Sequence, residues 1–201
     1  MRFTSEDHFL SAIAPAGLAQ DPEGRYLRFT DEDSVLGFDF TNLTMPDSPG
    51  AFDIAGGMDN SVERSMVETV VRLMEDLDLF PLYLFASDNE WLDEDADALA
   101  KRGLIRESER DILKAIQTAG HNMDVLIVEK SEAGRAVDIL TPQLTELGAT
   151  CFAVSEDGST YALISQDDEV SFNTTDEGIY RRARETVRSL ESLSFDIIWG
   201  E

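Results

Sequence analysis

Arginines stand at positions 181, 184 and 188, with Arg182 beside them. The spacing i, i+3, i+7 places Arg181, Arg184 and Arg188 on one side of a helix. Guanidinium groups arranged so can hold a carboxylate or phosphate through paired N–H donors. This stripe is expected to bind a small anionic ligand or an acidic partner. The plainer expectation is pairing with surface carboxylates, worth about 0–1 kcal/mol per pair.

Other chemistry is harder to assemble. Asp93, Asp95 and Asp97 have the opening spacing of a calcium loop. Its sixth position is Ala98 rather than Gly, and its twelfth is Leu104 rather than Glu. An acidic helix start explains the three aspartates. Asp167-Asp168-Glu169 reads as a solvated loop. Gly56-Gly57 precedes a helical pattern, but Asp53 and Asp59 flank it and no Walker Lys follows. His8 and His121 stand apart from any G-x-S-x-G or H-E-x-x-H pattern. Cys151, the single cysteine, lies in an apolar run and reads as a buried, inert thiol. No catalytic residue, metal or cofactor is assigned, and a non-enzymatic protein is expected. Asn42-Leu43-Thr44 and Asn173-Thr174-Thr175 are sequons that matter only in a secreted chain. Acids follow the first residues at once, with no apolar leader, so a cytoplasmic location is expected.

The 201 residues include 41 Asp and Glu against 16 Lys and Arg, a net charge of −25. Such a field repels phosphates, which disfavours nucleic acid and anionic membranes as partners. A small domain usually carries a net charge of about 2–8 in magnitude. The excess suits a basic macromolecular partner, salt adaptation, or acidity without a specific role. Lys101, Lys114 and Lys130 are the only lysines, which also fits salt adaptation.

Hydrophobic residues make up 42 % of the chain, and their pattern lays out the elements. In the second half, Met123–Glu129 reads as a strand and Ser131 caps a helix towards Leu147, interrupted at Pro142. Thr150–Ser155 and Thr160–Ser165 flank an Asp157-Gly158 turn, a hairpin signal. Residues 166–175 are polar and read as a loop. Thr175 or Asp176 caps a helix to about Ser192, and Phe195–Trp199 closes as a strand. In the first half, Met1–Thr4 reads as a short strand and Ser5 starts a helix that Pro15 ends. Arg25–Phe29 and Ser34–Phe40 flank an acidic turn. Asp59 or Asn60 caps a helix to Leu77, followed by strand Pro81–Ala86. The long connection Thr41–Met58 is a candidate contact surface.

Landmarks recur between the halves: Ser5 and Ser131, Arg25 and Thr150, and Glu68-Thr69-Val70 and Glu185-Thr186-Val187. The expected fold is α+β, a tandem repeat of a ferredoxin-like βαββαβ unit. The repeats would span 1–87 and 121–201, joined by a two-helix linker at 88–120. Aligned on Glu68 and Glu185, Val67, Val71 and Met74 stand where the second helix has Arg184, Arg188 and Glu191. This extra apolar stripe would forfeit roughly 1.5–3 kcal/mol per side chain if left in water. It is expected to be an interface, covered by the other repeat, by the linker helices, or by a second subunit in a homodimer.

Val128-Glu129-Lys130-Ser131-Glu132-Ala133-Gly134, followed by a helix and a hairpin, resembles an ACT domain, with Ala133 where a Pro usually precedes the Gly. The resemblance covers about a quarter of the chain. It implies a regulatory module sensing a small anionic or amino-acid ligand near Arg181, Arg184 and Arg188. The composition points first to a different role. An acidic binding protein would engage a basic partner, as toxin-neutralising immunity proteins, inhibitors and nucleic-acid mimics do.

Overall fold

The computed structural model describes residues 1–22, 26–41, 61–87, 91, 96–119, 125–145, 150–165, 169–189 and 195–200. Their elements run β1 (Arg2–Thr4), α1 (Glu6–Ile13), β2 (Leu18–Gln20), β3 (Leu27–Phe29), β4 (Leu36–Thr41), α2 (Ser61–Asp76), β5 (Leu82–Ala86), α3 (Ala96–Lys101) and α4 (Glu107–Ala119). Then follow β6 (Val125–Val128), α5 (Ala133–Thr145), β7 (Cys151–Ser155), β8 (Thr160–Ser165), β9 (Glu169–Thr174), α6 (Glu177–Arg188) and β10 (Asp196–Trp199).

Eight strands form one antiparallel sheet in the order β1-β6-β5-β7-β8-β9-β4-β10, and β2 pairs with β3 in a separate hairpin. The chain is thus α+β, but the expected pair of ferredoxin-like sheets is not what forms. Strand β5 of the first half lies between β6 and β7 of the second, and β4 lies between β9 and β10. The element order still recurs, since each half runs β-α-β-β-β-α-β apart from α3 and α4. The polar stretch 166–175, expected as a loop, holds the additional strand β9. Its Val170 and Phe172 turn inward while Ser171 and Asn173 turn to the other face, a period-two pattern masked by the surrounding polarity. The first half is one strand out of step with the Arg25–Thr150 landmark: Leu27–Phe29 corresponds in order to β8, and the short β2 corresponds to β7.

Three crossovers, β4–α2–β5, β6–α5–β7 and β9–α6–β10, connect parallel strands across intervening ones. The first steps along the sheet in the opposite direction from the other two, and its strands also point the opposite way. A shared right-handed crossover therefore puts all three helices on one face. The larger core lies there: Leu82, Leu84, Leu126, Val128, Phe38, Phe40 and Phe172 of the sheet pack with Met66, Val70, Ile139, Leu140 and Val187 of the helices. On the opposite face, α1 and the β2–β3 hairpin cover only part of the sheet. Phe9, Ile13, Leu27 and Phe29 pack there on Tyr83, Phe85, Val125, Ile127 and Phe152. Strands β5 and β6 are covered on both sides, which is why their sequences are apolar at every position.

Local signals act as physics requires. The Ser5 hydroxyl accepts the His8 N–H at 3.3 Å, and Asp176 accepts the Ile179 N–H at 2.8 Å. Ser131 does not cap α5; it lies in a 3-10 turn, Lys130–Glu132, and α5 runs through Pro142 to Thr145. Gly158, at φ +72°, lies so close to α1 that a Cβ there would meet the Ile13 Cα at 2.9 Å.

Candidate functional site

The register of the sheet brings several turns to one end. Leu36 pairs with Thr174, Thr160 with Thr174, and Leu82 with both Ser155 and Val128. The turns before β4, between β7 and β8, and before α6 therefore adjoin. The Thr175 N–H confirms the contact by donating to the Ser159 carbonyl at 3.1 Å. These turns carry Asp31, Glu32, Asp33, Glu156, Asp157 and Asp176, all exposed. Asp31, Glu32, Asp33 and Glu156 have no ion-pair partner among the described residues. Asp157 instead accepts from the Ser155 hydroxyl at 2.7 Å, the Ser159 N–H at 3.0 Å and the Ser159 hydroxyl at 2.9 Å. Desolvation of its carboxyl works against the charge, but these donors outweigh it and hold the carboxyl below the usual range. Asp157 thus holds the turn through three hydrogen bonds and is charged at neutral pH. Along the same end, Glu129, Asp78 and Glu177 pair with Arg2, Lys130 and Arg181.

The arginine stripe divides. Arg181 is exposed and pairs with Glu177 at 2.9 Å, the plain surface pair. Arg184 and Arg188 have no carboxylate partner among the described residues. Their guanidinium carbons lie 5.0 and 5.4 Å from the Trp199 ring centroid, and Arg184 is also 5.5 Å from that of Tyr180. The Arg184 Nε is buried without a hydrogen-bond partner among the described residues. Trp199 itself packs on Phe38 at 4.8 Å, so the cations sit on an aromatic cluster anchored in the core. Sequence reasoning found the arginines but not Trp199. Only the pairing of β10 with β4 carries that ring under α6.

The apolar stripe is covered within the chain. Val67 and Met74 are fully buried and Val71 nearly so, all in the core shared by α2 and α5. An open groove between these helices passes Val71, Val137 and Gly134. Beside it, Arg64 of α2 binds Glu109 of α4 and Asp138 of α5, the latter at 3.1 Å. Burial would lower the Arg64 pKa, but the hydrogen bonds and charges of Asp138 and Glu109 outweigh it and raise it. Glu109 also accepts the Arg106 N–H at 2.6 Å, which completes one arm of a capping box for α4. One ionic cluster thus fastens an expected linker helix to the sheet's helical layer.

Cys151 is fully buried, and burial pushes its thiol pKa up, so it presents no thiolate. Burial also pushes Tyr161 up to about 12. His8 is exposed at the start of α1. Asp97 pairs with Lys114 at 2.6 Å, while Asp93 and Asp95 lie outside the described residues, as do His121, Gly56-Gly57, Asn42, Asp167-Asp168 and residues 42–58. Asn173 lies in β9 and donates to the Ser171 hydroxyl at 2.9 Å. Among the described residues, no cluster of three or more His, Cys, Asp or Glu could hold a metal ion, and no helix is long and apolar enough to cross a membrane. No protein-family model matches the chain, and no curated protein matches it.

Proposed function

We propose that this chain is a non-enzymatic binding protein whose acidic sheet end engages a basic macromolecular partner, in the manner of an immunity or inhibitor protein. The observation that carries the proposal is the convergence of Asp31, Glu32, Asp33 and Glu156 without ion-pair partners, on turns fixed by the sheet register. Carboxylates gathered on neighbouring turns raise the encounter rate with a cationic surface. The packed core behind them fixes the strands that carry these turns. The recurring β-α-β-β-β-α-β order supports reading the chain as a duplicated unit whose halves have interleaved.

The experiment captures partners from source lysate on immobilised protein at low salt, then purifies what a salt wash releases. Two variants of equal charge are compared. One neutralises the sheet end: Asp31→Asn, Glu32→Gln, Asp33→Asn and Glu156→Gln. The other neutralises exposed acids elsewhere: Asp7→Asn, Glu107→Gln, Asp111→Asn and Glu185→Gln. A stoichiometric basic protein should bind the wild type and the second variant, with its association rate lowered about tenfold or more by the first. Equal loss in both variants, or no stoichiometric partner, overturns the proposal and leaves the charge to solubility.

A further inference from the structure

Strand β10 ends the sheet: β4 pairs with one side of it, and no described residue pairs with the other. The Gly200 N–H donates to the Gly37 carbonyl at 3.1 Å. Such exchanges recur at every second residue of an antiparallel ladder. Asp196 and Ile198 therefore turn their backbone groups towards β4, while the N–H and C=O of Ile197 and Trp199 face outward. An outward row of this kind is a template for another strand.

The two faces of this edge differ in chemistry. On the helical side, Arg184 and Arg188 reach over Trp199, and neither has a carboxylate partner among the described residues. On the other side, Ile198 is 49 % exposed, one of only two large hydrophobic residues so exposed among those described. A neighbouring strand would place alternate side chains on these two faces. One face calls for carboxylates; on the other, Ile198 offers one apolar contact, between the exposed Asp196 and the half-buried Asp39 of β4.

We propose that β10 is a docking edge for an extended segment of a partner protein in which acidic and apolar residues alternate. Backbone hydrogen bonds to Ile197 and Trp199 would supply affinity. Arg184 and Arg188 would select the carboxylates, and Ile198 would cover the apolar side. A second copy of this chain fits less well, because two-fold pairing of β10 strands brings like arginines together. The inference does not rest on the acidic sheet end, which uses other residues.

The test uses a short synthetic peptide of alternating glutamate and valine, titrated into the full chain at about 0.15 M salt. There the Debye length is about 8 Å, so the chain's distant carboxylates are screened. Binding is followed by amide NMR and hydrogen exchange. The amides of Ile197 and Trp199 should shift and become protected. The pair Arg184→Gln, Arg188→Gln should weaken binding about tenfold or more, as should glutamine in place of the peptide's glutamates. Ile197→Pro should abolish binding, because it removes an outward N–H and leaves the ladder to β4 intact. A thermal melt checks that each variant folds. No binding up to about 1 mM peptide, shifts confined to another surface, or unchanged affinity in the folded arginine variant overturns the proposal.

Discussion

Replacing Arg64 with Met tests whether the ionic cluster of α2, α4 and α5 is one coupled unit. Arg64 is 8 % exposed and Glu109 3 % exposed. Removing the guanidinium leaves the Glu109 carboxylate buried with the Arg106 N–H as its one remaining donor among the described residues. Breaking a buried pair on one side costs about 3–5 kcal/mol. Asp138 and Glu68 also lose a partner, but both reach water and add little. For a chain of this size each kcal/mol moves Tm by about 2–4 °C, so Tm should fall by roughly 6–20 °C. Adding Glu109→Gln removes the stranded charge and retains an oxygen for the α4 cap. The double variant should therefore recover to within about 1–2 kcal/mol of wild type. Urea unfolding of the four proteins closes a double-mutant cycle. If the Arg64→Met loss stays below about 1 kcal/mol, or the two losses simply add, the coupled-cluster reasoning fails.

Four further outcomes follow from single positions. Gly158→Ala should cost about 2 kcal/mol or more, because a Cβ at φ +72° is strained and would meet the Ile13 Cα at 2.9 Å; urea midpoints measure it. Asp39, on β4 between Ser171 and Ile198, has its pKa raised by burial. Its folded form is favoured below the ordinary carboxyl range and loses stability as pH rises through the raised pKa. Asp39→Asn should therefore raise Tm at pH 7, with the gain vanishing below about pH 4. Asp157 has the opposite sign, since its pKa is held down. Its contribution is present above the ordinary range and lost as pH falls, so Asp157→Ala should lower Tm at pH 7 and matter less below about pH 4. Val71→Asp puts an unpaired charge into the α2–α5 core and should unfold the chain, seen as loss of near-ultraviolet circular dichroism; a folded variant contradicts the burial argument.

Much of the local structure was legible in the residues. Alternation and apolar runs mark β5, β6, β7 and β8, because each side chain's type records whether its face meets core or water. Ser5 and Asp176 mark helix starts, because unsatisfied N–H groups need a nearby oxygen. Three-residue β2 carries too few residues for a period, and β9 hides two inward side chains in a polar stretch. The arginine stripe was visible at helical spacing, and so was the apolar stripe at Val67, Val71 and Met74.

The sequence by itself determined which segments could form strands and helices, where several turns fall, and a charge of −25. It did not determine which strands would lie side by side. Strand β1 pairs with β6 and β4 with β9, residues more than a hundred positions apart. No local period encodes such a pairing, which depends on how buried faces fit once helices stack on a common side. That assembly alone gathers Asp31, Glu32, Asp33 and Glu156 at one end, and sets Trp199 beneath Arg184 and Arg188. Each group's chemistry is local, but its neighbours are chosen by packing across the whole sheet.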